Sequence, residues 1–365
     1  MSSSKRSRAC AVLVTALLGV LAGCESGTSE PRVKRFILIS NGNSPFWDAC
    51  RAGLNDAVKE LNLQGAGLTA VLEVNEGDPQ GQITKLRQFS SQSDIVGIAL
   101  SAIDASNAAV AQEMRNLQKK GVHVICVDSD FDRKMYRDAR SYYLGTDNLL
   151  GGRALGIAAK QLLAARSSKP GSYVQFVGRT GAQNAMDRMD GFSETVGASF
   201  KEVDRSSDEF DRSRARENVR NALRNHPELV ALVGIYSHNG PAIVDVLKDE
   251  KKSADYTVVS FDAEATAIRQ MGEGLIDAMV VQDPYAMGYE SVRLLKAMYE
   301  KDTETIKKLY PNEGQPDGDL YDTGLKVVVP DENSSLRADM FSDNTQFLKL
   351  SEFKTWLAKY KLTSS

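Results

Sequence analysis

From Val33 onward the chain alternates short apolar runs with amphipathic stretches of helical length. The runs are "RFILI" (35–39), "LTAVLEV" (68–74), "DIVGIAL" (94–100), "VHVICV" (122–127), "SYYLG" (141–145), "SYVQFVG" (172–178), "ELVALVGIY" (228–236), "YTVVSF" (256–261), "DAMVVQ" (277–282) and "LKVVV" (325–329). In several of them apolar residues fill consecutive positions, the pattern of strands covered on both faces of a parallel sheet. The stretches between them read as helices. In Ser213–Arg224, Ala215, Val219, Ala222 and Leu223 fall on one stripe, as on a helix with one buried face. Strand–helix alternation predicts an α/β fold with right-handed crossovers.

Ten strands are too many for one such sheet, so the expected architecture is two doubly wound parallel-sheet lobes. No long polar linker interrupts the pattern before residue 300. The lobes are therefore expected to be joined by three short hinge crossings, near Thr146–Asn148, Gln282–Pro284 and Leu325. That assigns 34–146 with 284–325 to an N-terminal lobe and 147–283 with 326–365 to a C-terminal one. Lys301–Thr323, rich in charge, Pro and Gly, reads as an irregular surface insertion. "LSEFKTWLAKYK" reads as a terminal amphipathic helix.

The first residues change the picture of where the protein resides. Lys5, Arg6 and Arg8 precede an apolar run, Ala9–Gly23, that is too short for a comfortable membrane span but suits a secretory signal. It ends in Leu21-Ala22-Gly23-Cys24, which resembles the bacterial lipobox. The order of basic flank, apolar run and small-small-Cys argues against a buried hydrophobic helix. Residues 1–23 are thus expected to be a lipoprotein signal peptide, Cys24 the lipidation site and 24–33 a tether. The product would be periplasmic or at the cell surface, anchored to the membrane through the lipid on Cys24.

Losing the three basic residues takes the net charge from −3 to −6. An acidic balance argues against nucleic acid as a partner. Only Cys50 and Cys126 then remain. They are free to pair in an oxidising compartment, but a chain this long does not need a disulfide, and two free thiols are favoured.

Ligands of doubly wound sheets bind beyond the carboxyl ends of the strands. The strands here are followed by "SNGNSPFW", "SAIDAS", "DSDFD", "GTDN", "GRTGAQNA", "SHNG", "FDAE" and "QDP". Asp, Asn and Ser also make turns and cap helices, which accounts for about half of these groups, Thr146, Asp147 and Asn148 included. It does not account for Phe46 and Trp47, or for the steady mixture of carboxylates with amides. Such a mixture suits a sugar. Carboxylates and amides satisfy hydroxyls, and flat aromatics cover the C–H faces of the ring.

Enzyme signatures are largely missing. The chain has no phosphate loop of the G-x-x-x-x-G-K-[ST] type, no G-x-G-x-x-G after a strand and no G-x-S-x-G elbow. Its histidines, His123, His226 and His238, are scattered, and only His238 falls in a strand-end loop. Asp128, Asp130 and Asp132 open like a calcium loop. The sixth and twelfth positions are Arg133 and Ala139, not the Gly and Glu such a loop needs. No metal and no cofactor are expected.

Several motifs occur together and in order: "SPFW", "VICVDSD", "LGTDNLLGGRALG", "RMDGF", "FDRSRARENVRNALRNHPEL", "VVSFDAE" and "VVQDPYAMGYES". Over roughly Val33 to Pro330 the chain resembles the ribose-binding branch of periplasmic sugar-binding proteins, the substrate-binding components of ABC importers. The resemblance implies two lobes closing on a monosaccharide and delivering it to a permease. It implies Phe46 and Trp47 against one sugar face and Phe210 against the other. It further implies hydroxyl contacts from Asp128 and Asp262, from Gln282 at the second crossing, and from His238 or Asn239. Asn41, Ser44 and Ser129 complete the set in the same loops.

Two positions depart from the ribose pattern. Ser129 follows the strand-four Asp where the ribose proteins carry Arg, and Met186 aligns with their ligand-contacting Arg. Asn184, Arg188 and Asp130 are the candidates to replace those cations, so a different pentose or hexose is expected. The protein is expected to be a monomer and not an enzyme. A receptor feeding a sensor kinase or chemoreceptor, and a glycosidase built on two of Asp128, Asp130 and Asp262, are the other readings.

Overall fold

All ten apolar runs fold as strands in the computed structural model, which describes residues 33–166 and 169–365. The expected signal segment, Cys24 and the tether as far as Arg32 lie outside the described residues. In chain order the first elements are β1 (Lys34–Ile39), α1 (Pro45–Glu60), β2 (Leu68–Glu73), α2 (Pro79–Ser90), β3 (Ile95–Leu100), α3 (Ala108–Lys119), β4 (His123–Val127), α4 (Arg133–Tyr136) and β5 (Tyr142–Gly145). Then come α5 (Asn148–Ala165), β6 (Gly171–Val177), α6 (Gln183–Val196), β7 (Phe200–Ser207), α7 (Arg212–Asn225), β8 (Leu229–Gly234), α8 (Asn239–Asp249), β9 (Thr257–Phe261), α9 (Ala265–Gly272) and β10 (Ala278–Val281). The last are α10 (Pro284–Glu300), α11 (Thr303–Leu309), β11 (Leu320–Asp322), β12 (Leu325–Val329), β13 (Thr345–Lys349) and α12 (Leu350–Lys359).

They build two sheets. The first has the order β2-β1-β3-β4-β5-β11 and is parallel throughout. The second runs β7-β6-β8-β9-β10-β12-β13 and is parallel except where β10 meets β12. The two orders superimpose, so β1 corresponds to β6, β4 to β9 and β5 to β10. The chain passes between the sheets after β5, after β10 and between β11 and β12. These passages sit on one side, so the carboxyl edges of both sheets face a shared cleft.

Helix starts follow ordinary capping chemistry. Asp78, Asp132, Asp147 and Asp211 each accept from backbone N–H groups in the first turn of the helix that follows. Helix α5 lies against α6 and the second sheet, α10 against α1 and the first. The α5–α6 approach is close: a Cβ on Gly152 would fall 2.2 Å from the carbonyl oxygen of Arg188. That contact fixes the height at which Arg188 enters the cleft.

Three strands escaped the hydrophobic pattern: β7, β11 and β13. Strand β7 is a half-exposed edge with Phe200 and Val203 as its only large apolar side chains. The stretch 301–323 is not an irregular insertion, since it holds α11 and β11. Its Tyr310 is buried and donates to the carbonyl of Tyr143 at 3.1 Å, while Asp319 pairs with the buried Arg140. The segment is therefore stitched into the first lobe. Cys50 and Cys126 are both buried and unpaired.

Candidate functional site

Strand-end loops from both sheets enclose a cleft lined by polar and aromatic side chains of both lobes, the chemistry usual for small-molecule sites. On the first-lobe side the chain leaves β1 through Ser40, whose hydroxyl donates to the Gly42 carbonyl and accepts from the Asn75 amide, both at 2.8 Å. Pro45 then starts α1, where its fixed φ is already helical. Phe46 and Trp47 follow in edge-to-face contact with ring centroids 5.1 Å apart. Both are members of the first-lobe core and also line the cleft, together with Asn41 and Ser44.

Asp128 ends β4 in a left-handed conformation, φ 64°. Its Oδ2 accepts from Ser101 Oγ at 2.8 Å, Asn41 Nδ2 at 3.2 Å and Asn184 Nδ2 at 3.4 Å. Asn184 belongs to α6, so this last bond joins the two lobes. Burial pushes the Asp128 carboxyl above the usual range, against the opposing pull of the Arg188 charge and the three donors.

On the second-lobe side Asp262 ends β9, also left-handed at φ 61°. It accepts from the Gln282 amide N–H at 3.2 Å and from Gln282 Nε2 at 2.9 Å. Arg188 Nη1 stands 3.7 Å from it. Burial raises its pKa to about 6, with Arg188 opposing. Arg188 itself lies face-on over Phe261, 3.9 Å from the ring centroid, and donates to Asn148 Oδ1 and the Ile235 carbonyl. Its Nη2 and the Oε1 of Gln282 are buried with no partner among the described residues. They leave one donor and one acceptor of the cleft wall unsatisfied by the described residues.

The remaining wall is built around Asp208, which is fully buried. It accepts from His238 Nε2 at 3.0 Å, Asn239 Nδ2 at 2.7 Å and the Phe210 amide at 2.8 Å. The last bond supports Phe210 at φ 63°, an uncommon conformation for an aromatic residue. Phe210 stacks on Tyr236, centroids 5.9 Å apart and planes 18° apart. It also reaches the first lobe: a Cβ on Gly77, φ 82°, would fall 2.8 Å from its ring. Beside it Arg179 Nη2 donates to the Gly77 carbonyl at 3.0 Å.

Eleven of the thirteen residues expected from sequence thus line the cleft: Asn41, Ser44, Phe46, Trp47, Asp128, Asn184, Arg188, Phe210, His238, Asp262 and Gln282. Two do not. Ser129 is buried outside it, its hydroxyl without a partner among the described residues. Asn239 is turned to Asp208 and to the Tyr236 amide, so it braces the wall instead of lining it. Asp130 is likewise no cation substitute, because Arg140 and Arg133 bind it away from the cleft. Sequence reasoning missed Gly42, Asn43, Tyr236 and Ser237 in the lining. Tyr236 closes the apolar run 228–236, but β8 stops at Gly234, which leaves Tyr236 in the strand-end loop.

Two α/β lobes with like topology, three crossings and a carboxylate–amide–aromatic cleft between them define a hinged solute-binding protein. The chain belongs to the periplasmic binding protein family, whose domain model matches residues 35–303. The D-allose-binding periplasmic protein of Escherichia coli (strain K12) is 22% identical over 314 residues, 84% of this chain and 96% of that one. The ribose import binding protein RbsB of Bacillus subtilis (strain 168) is 22% identical over 292 residues, 77% of this chain and 90% of its own. Among solved structures, an ABC transporter solute-binding protein from Burkholderia graminis in complex with D-arabinose superposes with a TM-score of 0.68 at 25% identity, covering 83% of this chain and 97% of that one.

Proposed function

We propose that the protein binds a monosaccharide, pentose or hexose, between its lobes and delivers it to an ABC-type permease. The observation that carries this reading is the pair of buried strand-end carboxylates, Asp128 and Asp262, facing one cleft beside unpartnered Arg188 and Gln282 atoms. Sugar hydroxyls both donate and accept, and so match such a set. Phe46 and Trp47 on one side and Phe210 on the other provide flat apolar faces for the ring. The ligand bridges both lobes, so it favours the closed arrangement over the open one. The protein does no bond chemistry in this reading. It works as a monomer, tethered through the lipid on Cys24 at the outer side of a membrane. The lobes divide at the three crossings, as 34–146 with 284–325 and 147–283 with 326–365.

The test is a thermal-shift screen of pentoses and hexoses on protein lacking residues 1–23, followed by tryptophan fluorescence. Trp47 is one of two tryptophans and lines the cleft, so a binding sugar is expected to raise the melting temperature and change the emission. A flat response across the panel refutes the reading.

A further inference from the structure

The cleft contains a hydrogen-bond chain whose direction is set by charge. An ionised carboxylate accepts and cannot donate, so the Asn184 amide must turn its NH2 toward Asp128 Oδ2, 3.4 Å away. The amide oxygen then faces Tyr236, whose hydroxyl lies 2.8 Å off and must be the donor. With the amide reversed, two oxygens would oppose each other between the lobes. The Tyr236 ring is held independently, stacked on Phe210 and lying 5.7 Å from the Arg188 guanidinium. Burial pushes its phenol further toward the protonated form that the chain requires.

We propose that Tyr236 is a positioning residue for ligand retention: its hydroxyl locks the Asn184 amide in the orientation that bonds Asp128 across the lobes, holding the cleft shut around the ligand. This rests on the reading of the cleft as a sugar site. Without the hydroxyl Asp128 still selects the NH2, but the amide oxygen loses its buried donor and the side chain its restraint, so the bridge weakens. The bridge exists only with the lobes together, so its loss acts on escape rather than on encounter.

The test uses Tyr236→Phe, which keeps the ring and its stacking, with the sugar returned by the thermal-shift screen. Stopped-flow fluorescence is expected to show dissociation faster by on the order of tenfold, the scale of one buried hydrogen bond, with association unchanged. Asn184→Ala is expected to do the same. The double variant is expected to be no worse than Asn184→Ala alone, since both changes break one chain. Additive effects, or a Tyr236→Phe protein indistinguishable from wild type, overturn the proposal. A wild-type protein that binds no sugar refutes the reading of the site, and the proposal with it; normal binding with a silent Tyr236→Phe refutes the proposal alone.

Discussion

Asp128 and Asp262 stand at equivalent places in the two sheets, one ending β4 and the other ending β9. Both are left-handed and buried, and the backbone N–H of each continues the ladder to the next strand, at Leu144 and Val280 respectively. Their partners differ. Asp128 collects neutral donors from both lobes, Ser101 and Asn41 on its own side and Asn184 on the other. Asp262 is held by Gln282 and faced by Arg188, with no donor from the first lobe among the described residues. One carboxylate therefore belongs to the closed arrangement, whereas the other is set before the lobes meet.

The sharpest way to break this comparison is to delete each carboxylate in turn. Asp128→Ala strands three donors in a dry site and is expected to weaken sugar binding by about 4 kcal/mol, with Asp262→Ala nearer 2 kcal/mol. Calorimetry that ranks them the other way refutes the division of roles.

A somewhat smaller effect is expected in stability against pH. The folded pKa of Asp262, raised from 3.8 to about 6, lies above its unfolded value. The folded state thus holds the extra proton, and stability falls as pH rises through that window, by roughly 3 kcal/mol from this one group. Asp262→Asn is expected to remove that fall and to be the more stable protein at neutral pH. Urea melts from acid to neutral pH check it, and unchanged curves count against the burial of this charge.

Phe210→Ala is expected to cost about 1.5 kcal/mol of affinity through lost stacking, with little loss of stability because the ring is only half-buried. Loss of folding would make Phe210 a core residue. The smallest effect is at the rim. Arg179→Ala removes the bond to the Gly77 carbonyl and is expected to speed sugar release about twofold, a half-buried contact contributing about 0.5 kcal/mol. A change as large as that of Phe210→Ala would place the closing contacts at the rim instead.

Strands buried on both faces announce themselves as continuous apolar runs, which is why β1 to β6, β8 to β10 and β12 were legible. Of the edge strands only β2 did, through apolar residues at alternate buried positions; β7 carries charge at four of its eight positions, and β11 has three residues. Within the site, residues at strand ends were found because topology alone directs them to the cleft. What sequence did not reveal was the direction of side chains one residue further on. Ser129, which follows the left-handed Asp128, is buried outside the cleft. Asn239 opens α8 and folds back onto Asp208, a residue no local pattern marks. Long-range partners of this kind depend on how the chain returns, and spacing carries no record of that.

The three left-handed residues of the cleft, Asp128, Phe210 and Asp262, have a consequence for engineering. Each holds a backbone conformation that costs of order 1 kcal/mol or more outside glycine, and two of them bury a charge as well. A selection for heat resistance alone would find glycine attractive at Phe210 and Asp262, whereas at Asp128 it would strand three donors. The most thermostable variants of this protein would then be those that had dismantled their own binding site, so any such selection needs sugar present from the first round.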